Sequence, residues 1–280
     1  MPRGSRLCEA GWCGILQDYL YFCYDIDGTT EPIEDVGIDR RRQNRANRLK
    51  TKSEERRHRD RKSAMRRMKR KSTIPLREEI PGGADQRVLL HACCAPCSGA
   101  IIEYMLSEGV RPTVFFSNAN IFPLQEYELR REECRRWCEK NGLTFIDDDY
   151  DHPLWRSVVK GLEAEPERGR RCLQCFRFRL ERAARYAHEN GFQVLTTTLA
   201  SSRWKDLEQV NDAGQWACGL FPDVTWWGRN WRTGGLQQRR GEIIREQCFY
   251  NQLYCGCEFS LAGRPGQTAE VSVIKPAEEK

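Results

Sequence analysis

From residue 87 onward, short β-branched or apolar segments alternate with helical segments of roughly 10 to 18 residues. The predicted strands are Arg87–Ala92, Thr113–Phe116, Leu143–Ile146 and Gln193–Thr198. The predicted helices run from Ser98 to about Ser107 and over Gln125–Lys140, His152–Gly161, Cys172–Asn190, Ser202–Gly214 and Gly235–Gln247. Strands that alternate with helices form βαβ units. We therefore expect an α/β fold with a mostly parallel sheet and helices on both of its faces.

Polar or reactive residues follow three of the predicted strands. Cys93 comes after the first strand, Asn118 after the second and Thr198 at the end of the fourth. Ligands of open α/β sheets bind at the carboxyl ends of the strands. The sequence therefore predicts a functional site at that edge of the sheet.

Three cysteines lie within five residues, where the first predicted strand passes into a helix. The segment reads His91-Ala92-Cys93-Cys94-Ala95-Pro96-Cys97. Backbone N–H groups of such a turn and of a helix N-terminus stabilise thiolates, which both metals and reducing nucleophiles require. Cysteines also fill cores as small apolar residues, but packing alone does not call for such clustering. We interpret Cys93, Cys94 and Cys97 as metal ligands or reactive thiols.

Two cysteine pairs follow later in the chain. Cys172 and Cys175 form a CxxC pair at a predicted helix start, which is typical of zinc sites, iron–sulfur sites and redox pairs. Cys255 and Cys257 flank Gly256, and this spacing suits either a shared metal or a small, easily reduced disulfide. The CC and CxxC sets together favour a metal site. Their spacing alone does not separate zinc from iron–sulfur.

The other cysteines lack such spacing. Cys134 and Cys138 lie four residues apart on a predicted helix, which favours packing over ligation. The remaining ones are Cys8, Cys13, Cys23, Cys218 and Cys248.

Several polar residues near strand ends or at a helix start are candidates for substrate contacts. They are Asn118, Asn120, Glu126, Tyr127, Arg130, Lys205 and Asp206. The acidic run at residues 147–151 is typical of a solvated turn. His91 lies inside a strand, so we expect a core histidine with satisfied hydrogen bonds.

The net charge of +6 is unevenly distributed along the chain. Residues 40–71 contain 17 Lys or Arg against 3 Asp or Glu, and residues 72–280 contain 27 against 29. The basic segment has almost no large apolar residues, so it should be disordered or a solvated helix. It is either a charged tail without a specific role or an arm whose phosphate contacts add affinity for nucleic acid.

These features divide the chain into four parts. Residues 1–39 form an extension to which we assign no fold. Residues 40–83 form the basic segment and a linker, in which Pro75, Pro81 and Gly82–Gly83 are typical linker residues. Residues 84–260 form the α/β domain, and residues 261–280 form a flexible tail.

The chain also lacks several common patterns. It contains neither a GxGxxG dinucleotide fingerprint after a strand nor a GxxxxGK[ST] phosphate-binding loop. No apolar run approaches the roughly 20 residues of a membrane span. The N-terminus lacks a secretory pattern, so we expect a cytoplasmic protein in which paired cysteines bind metal or act as redox thiols.

Six motifs follow one another along the chain: HACCAPC, FFSNANIFPLQEYELR, DDYDHPLW, GLEAEPERGRRCLQCFRFRLERAA, TTTLASSRWKDLEQVN and YCGCEFS. In order and spacing they resemble the motifs of the QueH-type epoxyqueuosine reductases. The similarity spans about residues 87–260. It implies a Rossmann-like, nucleotide-hydrolase-like sheet that is used without ATP, with a cysteine-rich metal site at the carboxyl ends of the strands.

The resemblance also implies a reaction and its partners. The family removes the epoxide oxygen of epoxyqueuosine at the wobble position of a tRNA anticodon, which gives queuosine. The expected partners are the anticodon loop of such a tRNA and an external electron donor, for example a ferredoxin or a flavodoxin.

Residue roles follow from the same resemblance. The ligands of a 4Fe–4S cluster map onto Cys93, Cys94, Cys172 and Cys175. Cys255 and Cys257 correspond to a redox-active pair or to part of a second, mononuclear iron or zinc site. Cys97 is a further candidate ligand of that second site.

The sequence departs from the family pattern in three places. Ala119 stands where the family turn usually has proline, and Asn251 precedes Gln252 where an arginine is usual. The tryptophan-rich region Trp226–Gly235 is also unusual. These departures bear on substrate contacts more than on the cysteine sets.

Two alternative functions remain: a zinc-stabilised RNA-binding module without catalysis, and a thiol oxidoreductase that acts on proteins.

Overall fold

The structure is a computed structural model that describes residues 76–261, apart from residue 253, and also residues 55, 59 and 63. Residues 55, 59 and 63 are helical and exposed. The predictions for residues 1–39, for most of the basic segment and for the tail after residue 261 fall outside the described residues. The same holds for Cys8, Cys13 and Cys23.

Within the described residues, five parallel strands form one sheet. They are β1 (Val88–His91), β2 (Thr113–Phe116), β3 (Phe145–Asp147), β4 (Val194–Thr197) and β5 (Thr225–Trp226), and they lie in the order β3-β2-β1-β4-β5. Leu89 of β1 pairs with Thr113 on one side and with Leu195 on the other. All four residues of β1 are buried, as expected for a central strand covered on both faces. The predicted parallel α/β fold is confirmed.

Helices cover the sheet in two groups. In the described chain they are α1 (Ala95–Ser107), α2 (Leu124–Lys140), α3 (His152–Val158), α4 (Arg170–Glu189), α5 (Leu207–Gly219), α6 (Leu236–Glu246) and α7 (Glu258–Leu261). Helix α1 packs against α2 and α6, whereas α4 packs against α3 and α5. Because parallel crossovers are right-handed, the reversal of strand order after β3 places the two groups on opposite faces.

The strand order reverses between β1 and β4, which leaves a crevice at their carboxyl ends. Cys93 follows β1 there, and Thr198 follows β4. The Cys93 backbone N–H donates to Thr198 Oγ1 at 3.0 Å, and the Thr198 hydroxyl donates to Cys93 Sγ at 3.3 Å. The predicted location of a functional site at this edge therefore coincides with the topological switch point.

Helix α1 begins at Ala95, three residues before the predicted start at Ser98. Pro96 fits the first helical turn, where its fixed φ is suitable and its missing N–H is not needed. Cys94 therefore occupies the N-cap position, with an extended backbone.

Helix α5 begins at Leu207 and not at the predicted Ser202. The Asp206 carboxylate caps it by accepting from the backbone N–H groups of Glu208 and Gln209. A 3₁₀ helix, Thr198–Ser201, occupies the segment after β4. The two-residue strand β5 lies in the tryptophan-rich region and is too short to give a periodic signal.

Part of the predicted linker belongs to the core. A 3₁₀ helix spans Leu76–Glu79, and Leu76 and Ile80 are buried against the sheet domain. None of the described helices combines the length and apolar character that crossing a membrane requires.

Candidate functional site

A cavity of about 970 Å³ opens at the carboxyl ends of β1 and β4. Its lining includes six cysteines: Cys93, Cys94, Cys97, Cys172, Cys255 and Cys257. All the described cysteines are free thiols. Each of the three cysteine sets therefore contributes to one cavity, but Cys175 does not line it and is a buried residue of α4 in the same hydrophobic cluster as Cys257.

The first set lies in residues 92–97, which we call the β1 turn. The sulfur atoms of Cys93, Cys94 and Cys97 all lie within 4.8 Å of one another. Hydrogen bonds from the Cys93 and Cys94 thiols hold the pKa of Cys97 well below its usual range, although burial opposes its charge. The three sulfurs are close enough to bind one metal centre, as expected for three cysteines within five residues.

The second set begins α4. The Arg168 backbone N–H donates to Cys172 Sγ at 3.2 Å. Arg168 adopts a φ of 68°, a left-handed conformation that residues with a side chain rarely take and that recurs at functional sites. Burial raises the pKa of the Cys172 thiol to about 11, and it also raises the pKa of Cys175. A metal or a nearby cation is therefore needed to keep these two thiols ionised.

The third set lies in residues 254–257, which we call the CGC turn. Arg130 of α2 holds this turn by donating to the carbonyls of Cys255 at 3.2 Å and Tyr254 at 3.3 Å. Gly256 has a φ of 103°, and a Cβ there would lie 2.9 Å from Arg130 Nη1 and 2.9 Å from a side-chain carbon of Ile121. Only glycine fits both this conformation and this space.

Lys205 brings a positive charge to the thiols. Its Nζ donates to Cys255 Sγ at 3.2 Å. Burial alone would raise the pKa of Cys255, but the Lys205 charge overrides it and the pKa falls. Burial opposes the charge of Lys205 too, yet the thiolates of Cys255 and Cys93 raise its pKa. The ammonium group is therefore charged, and it favours thiolates in all three sets.

The predicted polar residues divide into two groups. Five line the cavity: Asn118, Asn120, Arg130, Lys205 and Asp206. Glu126 and Tyr127 do not line it. Glu126 accepts from Arg130 Nε at 2.7 Å, and the Tyr127 hydroxyl donates to Asp147 at 3.0 Å.

Two asparagines after β2 differ in their contacts. Asn118 donates to the Ala92 carbonyl at 2.9 Å and accepts from Arg179 of α4, so its groups are used within the protein. Asn120 is 1% exposed, and its Oδ1 has no hydrogen-bond partner among the described residues. An unpartnered buried oxygen beside a cavity is a candidate contact for a ligand.

His91, Cys134 and Cys138 are buried within the protein, as expected. His91 is buried, with Nδ1 2.7 Å from Thr197 Oγ1 and Nε2 3.0 Å from the Ser117 carbonyl. Burial lowers its pKa to about 3, so the imidazole is neutral. Cys134, Cys138 and Cys218 are buried away from the cavity.

Sequence patterns assigned no site role to the basic and aromatic residues that line the cavity. These residues are Arg168, Arg171, Arg179, Arg203, Trp204 and Arg240. They come from four separate segments, so only the folded chain brings them together. The many arginines of α4 were the one sequence feature that could have indicated a basic site, but only Arg171 and Arg179 of this helix line the cavity.

A family model described as "Epoxyqueuosine reductase QueH" matches residues 88–263. This chain belongs to the QueH family. Proteins named epoxyqueuosine reductase QueH from Histophilus somni and Acinetobacter baylyi are 51% and 49% identical to it over 183 residues. These matches cover 65% of this chain and 75% and 84% of the two relatives. A relative of the same name from Haemophilus influenzae is 50% identical, over 65% of this chain and 74% of that protein.

The match confirms the resemblance drawn from the motifs. Its limits agree with the sheet domain, since it begins at the first residue of β1 and continues past the CGC turn. Membership places the chain among oxidoreductases, which disfavours the RNA-binding module without catalysis.

Proposed function

We propose that this protein reduces epoxyqueuosine to queuosine at the wobble position of a tRNA anticodon. The observation that carries the proposal is the convergence of three cysteine sets on one basic cavity in a chain of this family. In the net reaction, two electrons and two protons enter, both carbon–oxygen bonds of the epoxide break, and a carbon–carbon double bond and water form. An external donor, for example a ferredoxin or a flavodoxin, supplies the electrons.

The cavity suits a 4Fe–4S cluster, which cysteine thiolates bind. We propose Cys93, Cys94, Cys172 and Cys175 as its ligands. The Arg168 N–H at Cys172 Sγ and the charges of Lys205 and Arg179 support this assignment, because donors and cations around the sulfurs stabilise thiolate ligands. When bound, such a cluster supplies electrons one at a time.

The residues of the chain supply the proton and the contacts. Lys205 carries a proton on Nζ beside the thiols, which suits a hydrogen bond to the epoxide oxygen as it acquires negative charge. The unpartnered Asn120 Oδ1 suits a hydrogen bond that orients the substrate. Asn118, tied between Ala92 and Arg179, keeps the cavity wall in place.

For the CGC turn we propose a redox or metal-binding role. Cys255 and Cys257 line the same cavity, and the lowered pKa of Cys255 favours the reactive thiolate. In the metal-binding version, these cysteines and Cys97 contribute to a mononuclear iron or zinc site.

We also propose that residues 84–260 contain the catalytic machinery and that the basic segment adds affinity for tRNA phosphates. The buried Leu76 and Ile80 support extending the folded unit towards the N-terminus. A shortened protein that keeps the whole core should therefore begin near residue 72.

The first test is anaerobic purification followed by a visible absorption spectrum and iron and sulfide analysis. We expect a brown protein with about four irons and four sulfides per chain. Incubation with epoxyqueuosine-containing tRNA and a reductant should then yield queuosine, measured by mass spectrometry of the digested nucleosides. A colourless protein with stoichiometric zinc and no conversion would contradict the proposal and restore the RNA-binding module.

A further inference from the structure

Trp204 is the most exposed large hydrophobic residue among those described, with 66% of its surface accessible. Its backbone lies in the loop between the 3₁₀ helix after β4 and α5, and it lines the mouth of the cavity. The next residue, Lys205, reaches the thiol of Cys255. A single loop therefore extends from the reactive sulfurs to an indole ring in solvent.

The loop is held in place by arginines. Arg168 donates to the carbonyls of Trp204 at 3.0 Å and Arg203 at 3.3 Å. Arg232 donates to the carbonyls of Ser202 at 2.6 Å and Lys205 at 2.7 Å. An exposed aromatic ring on a loop with four such bonds is presented in a defined position and does not pack into the core.

The surroundings of the ring are basic. The Arg203 guanidinium lies 4.9 Å from the ring centroid, and Arg168 and Arg240 line the cavity nearby. An aromatic face beside arginines is how proteins bind single-stranded nucleic acid, since any base can stack on the ring while cations meet the phosphates.

We infer that Trp204 is a stacking platform for the unpaired nucleobase next to the modified base. The inference rests on the proposed function and extends it, because it names a specificity-determining residue outside the thiol site. With the modified base at the thiols, its neighbour in the RNA meets the indole. The ring thus favours an open loop of RNA over a duplex, whose bases are already stacked on one another.

The test measures binding of a fluorescein-labelled anticodon stem–loop RNA by anisotropy, with the full-length, cluster-loaded protein. Trp204→Ala should weaken binding by at least about fivefold, given the usual strength of base–aromatic stacking. Trp204→Phe should restore most of the affinity, because it retains an aromatic face. A Trp204→Ala protein that also reduces tRNA should show a raised KM with kcat nearly unchanged.

Trp216→Ala is the matched control. Trp216 is also exposed, at 38%, and has an arginine, Arg177, 5.3 Å from its ring, but it does not line the cavity. A blunt-ended RNA duplex is the second control, since it reports phosphate affinity without offering an unpaired base. Neither Trp216→Ala nor the paired RNA should show the loss.

Unchanged binding of the stem–loop by Trp204→Ala would overturn the inference, as would an equal loss with the blunt-ended duplex. These outcomes are separate from failure of the proposed function. If the wild-type protein does not reduce epoxyqueuosine, binding of the loop still reports the platform. If Trp204→Ala binds and reduces tRNA like the wild type, the proposed function stands and the platform does not.

Discussion

The β1 turn and the CGC turn both present cysteines to one cavity, but they are built in different ways. The β1 turn follows directly from a central strand and enters a helix, so a few consecutive residues place its three sulfurs together. Among the described residues, no strand leads directly into the CGC turn. Its conformation depends on Arg130 of α2 and on Gly256, and the ionisation of Cys255 depends on Lys205. The three sulfurs of the β1 turn are thus brought together by their closeness in the chain, with added hydrogen bonds between Cys93 and Thr198, whereas the CGC turn is held by residues distant in the chain.

The largest expected effect comes from removing one thiol of the β1 turn. Cys93→Ala should abolish the visible absorption, the bound iron and the deoxygenation of tRNA, because it removes one of the four proposed ligands of the 4Fe–4S cluster. Cys255→Ala should retain iron and sulfide while losing activity. Cys218→Ala, which removes a buried thiol outside the cavity, should behave as the wild type. If Cys255→Ala also loses the cluster, the two turns form one ligand set and the contrast between them fails.

A smaller effect is expected from Gly256→Ala, which tests the tertiary constraint on the CGC turn. The added Cβ would contact Arg130 and Ile121. We therefore expect the free energy of unfolding to fall by about 1 to 3 kcal/mol and the activity to fall roughly 5- to 150-fold. Thermal unfolding and the deoxygenation rate measure the two effects.

Gly161→Ala is the control, because Gly161 also has a positive φ of 82° but has open space where the Cβ would stand. It should lower stability by about 1 kcal/mol and leave activity unchanged. Equal activity of both variants would show that the packing around Gly256 does not position the thiols.

The smallest effect is expected for Lys205→Gln, measured on Cys255 in the metal-free, reduced protein. Removing the cation raises the pKa of Cys255, so less thiolate is present below that pKa and alkylation by iodoacetamide becomes slower. We expect about a three- to fourfold lower rate for each unit by which the pKa rises, because the tenfold loss of thiolate is partly offset by its higher nucleophilicity. Peptide mass spectrometry follows the modification, and Lys205→Arg should retain most of the rate.

The exposed thiol of Cys248 is the internal standard for this experiment, and its rate should not change. An unchanged rate at Cys255 would mean that the contact with Lys205 does not control the ionisation of this thiol.

Some features of the structure could be predicted from sequence patterns and others could not. The β1 turn was predictable because its cysteines are close together in the chain, and the burial of His91 was predictable because it lies inside an apolar strand, although its partners Thr197 and Ser117 lie elsewhere in the sequence. The true starts of α1 and α5 were missed by a few residues, because Pro96 and Asp206 extend or delay the helix in ways that periodicity does not show. Strand β5 was missed because two residues carry no period.

The parallel α/β fold, the family and the three cysteine sets could be read from the chain, because they depend on local periodicity and on residues close together in sequence. Folding was needed to bring residues of the three sets to one cavity, to place Arg130 and Lys205 against the CGC turn, and to leave Trp204 exposed in the cavity lining. These features join residues that lie far apart in the chain. Hydrogen bonds and charges between residues more than a hundred positions apart, such as Arg130 and Cys255, arise only after the sheet and its helices have packed.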